Sequence, residues 1–169
     1  MRAALAPAIA LMLAALLAGC GFQLRGTAEL PFQTIYLPPA SGPGIALDLR
    51  RNIEAGTHTK VVGDMKQADA VLEFSQELRD RLILSLAATG RVSEFRLRYL
   101  VSFRVHNGKG GDFVPTSTVT LTRDVTYSDA DVLSKQSEEQ LLYRDMQFDM
   151  VQLIMRRLAA AQPPKPAAQ

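Results

Sequence analysis

Residues 94–106 read EFRLRYLVSFRVH. Phe95, Leu97, Tyr99, Val101, Phe103 and Val105 take every second position, and Glu94, Arg96, Arg98, Leu100, Ser102, Arg104 and His106 take the positions between. A strand sends successive side chains to opposite faces, whereas a helix gathers residues three and four apart. Six consecutive apolar matches to a period of two therefore make this stretch a β-strand, one face buried and the other polar.

The neighbouring segments extend the pattern. NGKGG at 107–111 is a hairpin signal, and STVTLTRDVTY at 117–127 is an alternating, β-branched strand. Upstream, Ala88-Thr89-Gly90-Arg91 forms a turn. Residues 69–87 are extended, with Ala70, Leu72 and Phe74 alternating, and then Leu82, Leu84 and Leu86. The polar middle, QELRDR at 76–81, is expected to bend or bulge that strand. Three sequential strands joined by tight turns form an antiparallel meander. Thr34–Leu37 reads as a short edge strand ahead of a Pro/Gly-rich loop ending at Gly44, and Val61 and Val62 fit a short strand in a turn-rich piece.

Two amphipathic helices are available to cover this sheet. Residues 45–55 place Ile45, Leu49, Asn52 and Ile53 on one side, with Gly56 expected as the C-terminal cap. Residues 137–161 place Leu142, Met146, Met150, Ile154 and Leu158 four apart, with Arg156 and Arg157 at the negative end of the helix dipole. SDADVLSKQS at 128–137 reads as a polar connection. The expected fold is α+β: a two-layer sandwich of two helices on a mostly antiparallel four-stranded sheet, in the order β-α-β-β-β-α. Residues 31–161 form one domain, and the tail 162–169, QPPKPAAQ, is expected to be disordered.

The start of the chain has a different character. After Arg2, residues 3–19 are uncharged and end in small residues, as a secretory signal peptide does. Leu17-Ala18-Gly19-Cys20 resembles the lipobox of bacterial lipoproteins. That resemblance implies removal of residues 1–19, S-diacylglycerol and N-acyl groups on Cys20, and a lipidated segment over 20–30. Each buried methylene contributes about 0.8 kcal/mol, so several acyl chains hold a protein stably on a membrane. Gly21 stands where an aspartate would commonly retain such a protein at the inner membrane, which points to the outer one.

The bulk numbers exclude several functions. The chain has 169 residues, 47% apolar and 21% charged, a globular composition. A net charge of +2 leaves no nucleic-acid footprint. A single cysteine excludes a disulfide framework, and no P-loop, HExxH, CxxC or nucleophile-elbow pattern is present. His58 and His106 lie far apart and read as surface residues. No enzyme, metal or cofactor is expected beyond the covalent lipid. One feature is uneven: from Arg79 to Lys109, seven basic residues oppose only Asp80 and Glu94. Such a stretch is either a solvated face guarded by arginine or a surface for a polyanion.

Cys20-Gly21-Phe22-Gln23-Leu24-Arg25-Gly26 resembles the "CG-aromatic-x-LR" start of the LptE family of lipopolysaccharide-assembly lipoproteins. Element order, the long final helix and the polar tail are also similar. The resemblance implies an outer-membrane lipoprotein, anchored on the periplasmic side, that plugs and helps assemble the LptD β-barrel and binds lipopolysaccharide in transit. It also implies that basic residues in two connections at one end of the sheet contact the ligand. Lys135 is matched as the lysine just ahead of the last helix, and Arg91 in the turn; Arg96 and Arg98 follow them as strand candidates. The strand arginines fit two roles, ligand contact or contact with the barrel wall. The alternative is an accessory lipoprotein of another outer-membrane complex, such as the general barrel-assembly machinery.

Overall fold

A computed structural model describes residues 29–39, 44–127 and 132–164. The expected signal peptide, Cys20 and the acyl groups lie outside them. The elements are β1 (Thr34–Tyr36), α1 (Ile45–Gly56), β2 (Lys60–Val62), a short 3₁₀ turn (Met65–Gln67), β3 (Ala70–Leu86), β4 (Val92–His106), β5 (Asp112–Thr126) and α2 (Val132–Ala159).

The sheet has five strands in the order β2-β1-β3-β4-β5. The expected meander is present: β3, β4 and β5 pair antiparallel over nearly their full lengths. The rest is parallel, with β1 between β2 and β3 and aligned with both. The four-stranded expectation is thus corrected to a mixed five-stranded sheet, because the Val61-Val62 piece joins it. β1 is also not an edge strand. Its prolines, Pro38 and Pro39, follow the paired residues and remove no ladder donor from Thr34–Tyr36. Ile35 is fully buried there, and Thr34 is fastened by Asp69, whose Oδ2 accepts from the Thr34 amide at 2.9 Å.

β4 behaves as its alternation requires. Leu97, Tyr99, Val101, Phe103 and Val105 are buried under the helices. Opposite them lie Ile45, Leu49 and Ile53 of α1 and Met146, Met150, Ile154 and Leu158 of α2. The polar middle of β3 stays in register. The irregularities flank it instead, between Phe74 and Gln76 and between Ile83 and Leu86. β5 begins five residues earlier than expected and contains Pro115, which falls at the bulge opposite Arg104 on an edge strand, where a missing N–H costs nothing. α2 begins at Val132, so the piece read as a polar connection supplies the first turns of the helix. Gly56 is the last residue of α1 rather than its cap; extended Thr57 closes the helix, its amide and hydroxyl both donating to the Ile53 carbonyl. Of the expected tail, residues 162–164 are irregular, and Pro164 packs so close to Gly111 that a Cβ there would meet it at 2.6 Å.

Candidate functional site

The face of the sheet turned away from the helices carries the arginines of β4. Arg96 donates through Nε and Nη2 to Asp124 at 2.7 and 2.8 Å. Arg98 makes the same two-pronged contact with Asp80, and Arg104 donates to Asp112 from Nε at 2.8 Å. Asp124 is the direct cross-strand neighbour of Arg96 on β5, and Asp80 that of Arg98 on β3. The hydrogen bonds from Arg98 and Arg96 hold Asp80 and Asp124 below the ordinary carboxylate range. The same bonds, with that of Arg104 to Asp112, hold Arg96, Arg98 and Arg104 more firmly protonated. The basic stretch is therefore largely neutralised in three dimensions, mostly by acids outside the sequence window that revealed it. Linear charge counting missed this because the partners are set by strand register. Between these pairs Ser102 shares a hydrogen bond with Thr118, and Thr120, Thr122 and Thr126 line the exposed edge.

His106 ends this face, but it is more covered than expected. Its side chain is 15% exposed, Nδ1 accepts from the Gly108 amide at 3.0 Å, and Nε2 lies 3.3 Å from Glu73. It ends β4 and supports the β4–β5 turn by accepting that amide. No group of three or more His, Cys, Asp or Glu among the described residues is placed to hold a metal ion.

On the helix side, Arg79, Arg81 and Arg123 flank α2. Arg79 lies 4.5 Å from the centre of the Tyr99 ring and donates to Gln147. Arg123 pairs with Asp149 at 2.8 Å. Burial of its ring, then the hydrogen bond to Glu77, push the Tyr99 hydroxyl far above its usual pKa, so it stays a neutral donor.

Arg81 leads to the concave feature of interest. It pairs with Glu139 at 3.2 Å and lies over the Phe95 ring at 5.4 Å. Below it, Phe95, Leu97, Val125 and Tyr127 form the apolar wall of a cleft of about 60 Å³. Phe95 and Tyr127 meet edge to face at 5.4 Å, and the Tyr127 amide donates to the Ser93 carbonyl, closing the end of the sheet. Lys135, Gln136 and Glu139 from the start of α2 complete the rim. The expectation that Lys135 precedes the helix is corrected: it sits in the first turn, because α2 starts earlier than the periodicity implied. Its Nζ pairs with Glu138 one turn on, at 2.8 Å. A helical i,i+3 pair of this kind contributes about 0.2–0.5 kcal/mol, and the Lys135 side chain is 22% exposed.

Arg91 is exposed in the β3–β4 turn, where its carbonyl accepts from the Ala87 amide at 2.7 Å and Gly90 takes φ +77°. The turn and the cleft share one end of the sheet; Lys109 and the Met65 turn share the other. Of the residues singled out in the sequence, Lys135 and Arg91 are thus brought to one end, while Arg96 and Arg98 are committed to carboxylates on the open face. Sequence reasoning missed Arg81, Phe95 and Tyr127 as a group. The signal available was the acid-free run 81–93, in which Arg81 and Arg91 bracket Leu82, Ile83, Leu84 and Leu86.

Comparison with known proteins agrees with this architecture. The chain is 29% identical over 147 residues to the LPS-assembly lipoprotein LptE of Pectobacterium atrosepticum, covering 83% of this chain and 77% of that one. Among solved structures it is similar to lipoprotein B of Nitrosomonas europaea, with a TM-score of 0.71 and 38% identity over 83% of this chain and 91% of that one. A minor lipoprotein of Acinetobacter baumannii superposes with a TM-score of 0.63 at 26% identity, over 79% and 99% of the respective chains. The family model described as LptE, lipopolysaccharide-assembly, matches residues 32–158, which hold every strand of the sheet and nearly all of α2. The chain belongs to the LptE family of lipopolysaccharide-assembly lipoproteins.

Proposed function

We propose that the protein binds lipopolysaccharide at the Lys135 end of its sheet while seated within an LptD-type barrel of the outer membrane, held on the periplasmic side by acyl groups on Cys20. The observation that carries the binding role is the position of Lys135 at the rim of an apolar cleft, with Arg81 above it and Arg91 at the same end. Phosphates and carboxylates of such a ligand match those cations. Seating within a barrel is supported by the open sheet face, whose arginines are matched by aspartates and interspersed with Ser and Thr. The lumen of such barrels is polar, and a self-neutralised face suits it without strong attraction to one sign of charge.

Reversing Arg91→Glu and Lys135→Glu together tests the binding role. At surface dielectric each lost contact is worth on the order of 1 kcal/mol, so binding falls several-fold to tens of fold, most at low salt. Lys109→Glu, at the far turn, is the charge control. An equal loss per charge from Lys109→Glu would replace the site by diffuse attraction. Affinity capture of the full chain from solubilised outer membranes tests the partner: one stable barrel is expected, and recovery within a multi-lipoprotein complex would overturn the assignment. Arg96→Ala and Arg98→Ala are expected to affect stability more than ligand binding, because both side chains already serve aspartates.

A further inference from the structure

The last residues of β3 are anomalous for a strand end in water. Leu82, Ile83, Leu84 and Leu86 are 41%, 61%, 40% and 60% exposed. Leu82 faces Arg96 on the open side and Ile83 faces Phe95 on the helix side, with the register shifting between Ile83 and Leu86, so the apolar side chains are not confined to the helix side. Clustered exposed apolar side chains of this kind mark a binding surface more often than a solvated one. Ile83 is the cross-strand neighbour of Phe95, and Phe95 lines the cleft beside Lys135. Ile83 thus carries the apolar wall of the cleft out toward the turn, between Arg81 and Arg91, with Glu139 on the cleft rim and Glu94 facing Ser85 across the strands. At about 60 Å³ the cleft is far below the roughly 300–1,000 Å³ of a pocket that encloses a small molecule. At most the end of a chain fits in it, so a longer ligand extends onto the surrounding surface.

Apolar surface flanked by cations is complementary to an anionic amphiphile. We propose that Ile83, Leu84 and Leu86, continuing into the Phe95–Tyr127 cleft, hold an acyl chain of the same lipopolysaccharide molecule whose charged groups meet Lys135 and Arg91. This rests on the binding role proposed above and assigns the acyl part of the ligand to a separate set of side chains.

Photo-crosslinking in cells producing the full chain tests it. A benzophenone amino acid is installed in turn at Ile83, Leu86, Gln136 and, as an exposed apolar control at the far end, Met65. Lipopolysaccharide adducts are expected at Ile83, Leu86 and Gln136 but not at Met65. After alkaline hydrolysis, mass spectrometry is expected to find a fatty acid attached at Ile83 or Leu86. Ile83→Ser with Leu86→Ser is expected to lower the adduct at Gln136 at least fivefold; both side chains are mostly exposed, so the fold is kept. Adducts at Gln136 alone, or sugar rather than fatty acid at the strand end, overturn the acyl assignment and leave the binding role standing. A barrel-sized protein adduct at Ile83 and Leu86 without lipid identifies the strand end as a protein contact and also overturns it. Absence of lipopolysaccharide adducts at every position overturns both.

Discussion

At the scale of single residues, the arginines show how register converts a charge excess into local neutrality. Arg98 holds Asp80 below its ordinary value of 3.8, so the folded state binds that proton less readily than the unfolded chain. The contribution of the pair is complete above about pH 4 and is lost as pH falls through the lowered folded value. Asp80→Asn is therefore expected to lower the melting temperature at pH 7, with the gap to wild type narrowing as pH falls below about 4 and through the lowered folded value of Asp80. Scanning calorimetry across that range checks it, and a gap independent of pH would count against the ion pair. Gly90 is a different case. Its φ of +77° is one that L side chains rarely adopt, so Gly90→Ala is expected to cost about 1 kcal/mol by urea denaturation, although nothing obstructs the added methyl.

At the scale of elements, legibility followed how local the deciding forces are. β4 could be read outright, because its alternation reports burial residue by residue. The core stripe of α2 could be read for the same reason: Met146, Met150, Ile154 and Leu158 are all fully buried. Met150→Ala is expected to cost about 2–5 kcal/mol, whereas Phe148→Ala, two residues away and 65% exposed, should stay within about 0.5 kcal/mol; chemical denaturation separates them. The place of β1 could not be read, since three residues carry no record of which strands flank them. The start of α2 was missed because Val132–Gln136 lacks the four-residue spacing that marks the rest of the helix. The site was half legible: sequence placed Lys135 and Arg91 at one end, but the joining of Arg81, Phe95 and Tyr127 depends on which strands pair and where α2 crosses them.

At the scale of the whole molecule, the fold presents three surfaces with different chemistry. One sheet face is covered by helices, the other is a self-neutralised polar plane, and one end combines exposed leucines with cations. Within a barrel, limited proteolysis is expected to spare residues 30–160 while the tail after Gln162 is clipped; equal cleavage of the domain with and without the barrel would argue against enclosure. The placement of β1 also governs the order of events in time. β3, β4 and β5 are joined by short turns and can zip together from their hairpins. β1 leaves the ribosome first, yet its two neighbours are supplied only after α1 has crossed over and β3 has been made. Closing those loops costs chain entropy before any contact repays it. Pulse-labelled hydrogen exchange during refolding should therefore find β4 amides protected while the Ile35 amide still exchanges, so that the strand nearest the proposed membrane anchor is the last to be fastened.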